Sequence, residues 1–102
     1  MRLDAGITNV SSAGTRVQVN NVTNRVKQVQ FKALAANGNL TYVGVDDVSA
    51  SLGYELSAGN TVELNFSELG RGSDSASVPA NVLYVDAASS GDKISWLMIL
   101  DG

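Results

Sequence analysis

Near the end of this chain the segment GDKISWLMIL, residues 91–100, carries five apolar side chains in a row, Trp96 to Leu100. Successive side chains of an extended strand point to opposite faces of its sheet. Ile94, Trp96, Met98 and Leu100 therefore share one face, and Ser95, Leu97 and Ile99 share the other. An antiparallel strand with one wet side alternates apolar with polar residues, and this one does not. Such a strand needs a second cover besides the core of its own domain. The 46–56 segment offers one cover and a neighbouring subunit the other. We expect the subunit, because an apolar strand face suits a self-complementary contact and an uncovered one invites aggregation.

The remaining signals are those of short strands. TRVQV (15–19) sets Val17 and Val19 against Arg16 and Gln18. VKQVQFKAL (26–34) turns Val29, Phe31 and Ala33 inward and Gln28, Gln30 and Lys32 outward. LTYVGV (40–45) follows Asn37-Gly38, a pair suited to the positive-φ positions of a hairpin turn. TVELNF (61–66) groups Val62, Leu64 and Phe66, and VLYVDA (82–87) leads through ASSGD into the final strand. DAGITNV near the start has weak apolar spacing, and DDVSASLGYEL (46–56) has room for one helical turn, interrupted by Gly53. No window shows a sustained 3.6-residue period. Six to seven short strands joined by Gly-, Asn-, Ser- and Asp-rich turns predict an all-β fold. The expected architecture is a small antiparallel β-sandwich, jelly-roll-like or barrel-like.

At 102 residues the chain is expected to form a single domain over 1–102, burying about two-thirds of its unfolded surface. The chain has no cysteine and no histidine. Disulfides, thiolate metal sites and the commonest general base are thereby excluded. A small domain without such supports often gains stability from a partner subunit. The net charge is −3 with no basic run, which argues against nucleic-acid binding. No apolar run approaches the roughly 20 residues that span a bilayer. MRLDAGITNV lacks the apolar core of a signal peptide, so synthesis and retention in a cytoplasm are expected, with no membrane partner.

Catalysis finds little to work with. Serines without histidine cannot build the familiar triad, and Lys27, Lys32 and Lys93 all occupy alternating, solvent-facing positions. Asp46-Asp47, Asp86 and Asp92 suggest a calcium site on charge alone, but turn chemistry accounts for each of them. GRGS (70–73) is followed by no helix and makes a poor phosphate cradle. Phe31, Phe66 and Trp96 read as core, whereas Tyr42, Tyr54 and Tyr84 are the aromatics available to a sugar-binding surface. No enzyme activity, cofactor or metal is expected. The long polar loop SELGRGSDSASVP (67–79) presents Arg71, a residue type enriched at protein interfaces.

Taken in order, VKQVQFKALAANGNLTYVGV, the L-x-x-G-x-x-V-x-L segment at 56–64 and YVDAASSGDKISW form a longer pattern. It resembles a small β-sandwich domain found in virion proteins of tailed bacteriophages, and it covers residues 26 to 97. Residues 1–25 carry no part of it and are expected to be an added strand or a docking arm. The resemblance implies a structural part of the virion, made in the host cytoplasm: a capsid decoration (cement) protein that bridges neighbouring capsid subunits. The alternatives it leaves are a tail, neck or fibre component, or a carbohydrate-binding adhesion module. The implied partners are the major capsid protein or other virion proteins, and further copies of the chain in a homo-oligomer. Arg71, Leu97, Ile99, Arg2 and Leu3 are the expected interface residues.

Overall fold

A computed structural model describes residues 2–65 and 78–101. The fold is all-β, with two antiparallel sheets facing one another across a common core. Its strands are β1 (Arg2–Asn9), β2 (Val17–Gln18), β3 (Arg25–Ala33), β4 (Thr41–Gly44), β5 (Tyr54–Leu56), β6 (Thr61–Asn65), β7 (Val78–Pro79), β8 (Tyr84–Ala87) and β9 (Lys93–Leu100). A 3-10 turn at Ala80–Val82 separates β7 from β8. The larger sheet runs β1-β9-β3-β6, and β7 continues along the same flank of β3 beyond β6. The smaller sheet runs β2-β8-β4-β5. The first two strands, β1 and β2, are thus edge strands, one in each sheet.

The core is built from the inward positions that alternation dictates. Val29, Phe31 and Ala33 of β3 and Ile94, Met98 and Leu100 of β9 meet Val43, Leu56, Val85 and Ala87 from the opposite sheet. Val26 joins them, fully buried, although strict alternation from Val29 would turn it outward. A register shift between Val26 and Gln28, where β3 pairs with β9, supplies the extra residue that restores its phase. Met98 and Leu100 lie wholly inside, so truncating either leaves a cavity in a core that closes tightly around it.

Asn37-Gly38 does not close a hairpin, contrary to the sequence expectation. Its flanking strands β3 and β4 belong to different sheets, and Gly38 is not among the glycines with positive φ. The segment instead crosses between layers and is held by side chains. The Asn37 amide nitrogen donates to the Lys93 carbonyl at 2.8 Å, and its oxygen accepts from the Lys93 N–H at 2.9 Å. Asp92 receives the N–H groups of Gly38 and Asn39, each at 3.0 Å, one on each carboxylate oxygen. The segment 46–56 contributes β5 to the smaller sheet rather than a helical turn, and Val48 packs against Gly44 and Gly53. It therefore does not lie over the outer face of β9, where Leu97 remains 48% exposed.

Candidate interaction face on the larger sheet

The outer face of the larger sheet is ordered in rows by the strand register. Leu3 of β1 stands beside Ile99 of β9, then Gln28 of β3 and Asn65 of β6. The next row reads Ala5, Leu97, Gln30 and Glu63, and the third Ile7, Ser95, Lys32 and Thr61. The face is split lengthwise: the β1–β9 half is apolar and the β3–β6 half is polar. Leu3 and Ile7 are 64% and 62% exposed, Leu97 nearly half exposed, and Ile99 partly buried between its neighbours. Large apolar side chains scattered singly over a surface are ordinary, whereas a contiguous strip marks a contact site.

Three of the expected interface residues, Leu3, Leu97 and Ile99, come together on this strip. Arg2 does not join them. It sits one position out of phase, on the other side of β1, where its guanidinium pairs with Asp4 at 3.2 Å. Arg71, with the 67–77 part of its loop, lies outside the described residues, as does Phe66. Ala5 and Ile7 complete the strip although the sequence reading did not single them out. Their signal was present as an odd-numbered apolar series, Leu3, Ala5, Ile7, obscured because here the apolar side points away from the core.

The inner side of β1 explains this inversion. Its inward positions are Asp4, Gly6 and Thr8, small or polar groups that fill little of a core. The space over Gly6 is taken by Trp96, and a Cβ at Gly6 would stand 2.7 Å from the indole Cζ2. The indole Nε1–H donates to Thr8 Oγ1 at 3.0 Å. Trp96 thus clasps β1 from within by reaching across the strand next to its own. The aromatic ring replaces the apolar side chains that β1 lacks on this side.

Two of the acidic residues, Asp86 and Asp92, are engaged by backbone N–H groups. Asp86, almost fully buried, accepts the N–H groups of Gly14 at 3.1 Å and Ala87 at 2.8 Å through one oxygen. Asp92 holds the crossing at Gly38-Asn39 as described above. Among the described residues no cluster of three or more acidic side chains is arranged to hold a metal ion. None of their buried side-chain polar atoms lacks a partner. Of the three tyrosines, Tyr42 is buried, Tyr84 partly so, and Tyr54 exposed. Tyr54 stands at the rim of an apolar hollow between the sheets that Val43, Val62, Leu64, Val82 and Leu83 also line.

No family model matches the chain. Nor does any curated protein match it.

Proposed function

We propose that this protein is a structural component of a phage virion, a capsid decoration protein that adds buried apolar contact at the seams between neighbouring capsid subunits. The observation that carries the contact reading is the strip formed by Leu3, Ala5, Ile7, Leu97 and Ile99, bordered by a polar half-face. An apolar patch bordered by polar residues is the pattern of a protein interface, and this supports the reading. The virion assignment rests on the sequence pattern over residues 26–97. The contact is hydrophobic in origin and asks for no chemistry from the chain. Burying the strip against a neighbour stabilises the assembled shell by mass action, because only the assembled state offers the cover.

Copy number tests this reading. Quantitative mass spectrometry of purified particles should find the chain in the hundreds, as a shell protein requires. A handful of copies places it in the tail or neck instead, and absence from particles ends the virion reading.

Exposed Tyr54 beside its apolar hollow supports the second reading, a carbohydrate-binding module. A glycan array decides it: hits lost on Tyr54→Ala support a sugar site, and an array without hits removes it.

A further inference from the structure

Strand β1 is an edge strand, and its free side is defined by the hydrogen-bond parity of the ladder. The Val10 N–H donates to the carbonyl of Asp92, the residue opposite it when the β1–β9 register is continued by one step. Opposed residues of an antiparallel pair alternate between those that exchange main-chain bonds and those that do not. The even-numbered residues of β1 therefore bond to β9. Leu3, Ala5 and Ile7 direct their N–H and C=O groups to the open edge. The other side of β9 agrees: Leu34 N–H bonds to Lys93 O, so the odd-numbered residues of β9 serve β3.

This edge carries few of the usual guards against pairing, and the one it has, inward-facing charge, is neutralised within the strand. Over eight residues it has no proline, no bulge and no lysine, and its two charges, Arg2 and Asp4, point to the inner side and pair with each other. The other described edges are shorter: β2 has two residues, β5 three, β7 two including Pro79, and β6 five.

We infer that β1 pairs antiparallel with β1 of a second copy of this chain, with a two-fold axis through Ala5. In that register Ala5 faces its own counterpart and Leu3 faces Ile7 of the second copy. Leu3, Ala5 and Ile7 are also the residues whose main-chain groups point outward, so about six inter-chain hydrogen bonds form without rearrangement. Arg2 comes opposite Thr8 and Asp4 opposite Gly6, so no like charges oppose one another. A two-fold axis requires one surface to complement itself, and the series Leu-x-Ala-x-Ile does. The two apolar strips then join into a single face across β9, β1 and their copies. This deepens the proposed function and rests on it for the strip being a contact surface. The second copy covers the edge, while the joined face remains for the capsid. Edge pairing alone falls below the roughly 1,200 Å² of a standard interface, so the dimer is expected to be concentration-dependent.

Cysteine scanning reads the register directly, because the chain has no cysteine of its own. Opposed residues of a bonded pair have Cα atoms about 5.5 Å apart. That lies within the roughly 4.4–6.8 Å that a disulfide spans. Under mild oxidation Ala5→Cys should cross-link to itself, and Leu3→Cys should cross-link to Ile7→Cys when the two are mixed. Leu3→Cys alone should not, its counterpart being roughly 13 Å away along the strand. In sedimentation equilibrium the parent should show a monomer–dimer equilibrium. Ala5→Pro, which removes an outward N–H and no bond to β9, and Ile7→Lys should weaken it at least tenfold, with circular dichroism unchanged. A parent monomeric at every concentration, or a dimer indifferent to Ala5→Pro, overturns the proposal. Cross-linking of Ala5→Cys to Ile7→Cys in place of itself overturns the register. If Ala5→Pro abolishes capsid binding by a monomeric parent, the edge takes a strand of another protein: the second copy is refuted and the virion reading stands. A dimer behaving as described, in a protein absent from particles, leaves the edge pairing intact and refutes the function.

Discussion

Gly6→Ala puts a methyl group where the Trp96 indole lies, and its effect can be worked from three distances. The new Cβ would stand 2.7, 3.1 and 3.3 Å from Cζ2, Cε2 and Cη2. Carbon atoms in contact prefer about 3.5–4.0 Å, so the ring must retreat by roughly 1 Å. Retreat is resisted by the 3.0 Å bond to Thr8 and by loss of the ring's packing on the core. Overpacking of this kind costs about 1–3 kcal/mol, and a strained neutral hydrogen bond adds up to about 1 kcal/mol. Removing a glycine from a strand returns about 0.5–1 kcal/mol. The clash wins, for a net loss of about 1–2 kcal/mol. In a domain of this size that lowers Tm by about 4–16 °C. Urea unfolding followed by tryptophan emission measures both stability and the ring's surroundings, since Trp96 is the sole tryptophan. Thr8→Val should cost about 1 kcal/mol by itself. The double variant should lose less than the sum, because both changes act on one indole. A Gly6→Ala protein with the parent's midpoint and emission refutes the clasp.

Three further outcomes follow from the same geometry. Asp92→Ala removes two charge-assisted bonds from the crossing at Gly38-Asn39; with both amides near water the loss should be about 2–3 kcal/mol in chemical denaturation. Asp92→Asn, which keeps one acceptor, should recover part of that. Met98→Ala, at a fully buried position, should cost about 2–5 kcal/mol, and calorimetry should show it as a large fall in Tm. Leu97→Asp, half-covered on a central strand, should cost about 1–2 kcal/mol in unfolding and still leave the protein folded.

Legibility of the fold in the sequence followed the distance of each strand from the core. β3 was plain because its apolar residues alternate with polar ones, and β9 because its apolar run follows the turn at Gly91-Asp92. β1 was faint because its alternation is inverted: Leu3, Ala5 and Ile7 face out, and a tryptophan from β9 fills the inner side. β5 was missed because three residues with one inward side chain, Leu56, make no pattern. The Asn37-Gly38 reading failed for a different reason. Turn propensity is local, while the crossing from β3 to β4 in the other sheet is held by groups far along the chain, the Asp92 carboxylate and the main chain of Lys93. The candidate face was half legible. The double-sided apolarity of 94–100 pointed to Leu97 and Ile99 as an outward apolar pair, but the phase of β1, which sets Arg2 on the other side and adds Ala5 and Ile7, required the register.

Whether the Leu3–Ile7–Leu97–Ile99 strip is a contact surface is tested most directly by the affinity of Leu97→Asp for capsid shells stripped of this protein. Covering the exposed half of Leu97 is worth about 1 kcal/mol. A buried unpaired carboxylate in its place adds a penalty of several kcal/mol. Binding should therefore weaken by at least tenfold, the equivalent of about 1.4 kcal/mol, while Val62→Thr at the opposite edge of the sheet binds as the parent does. Equal affinity of Leu97→Asp and parent, with both folded, would contradict it.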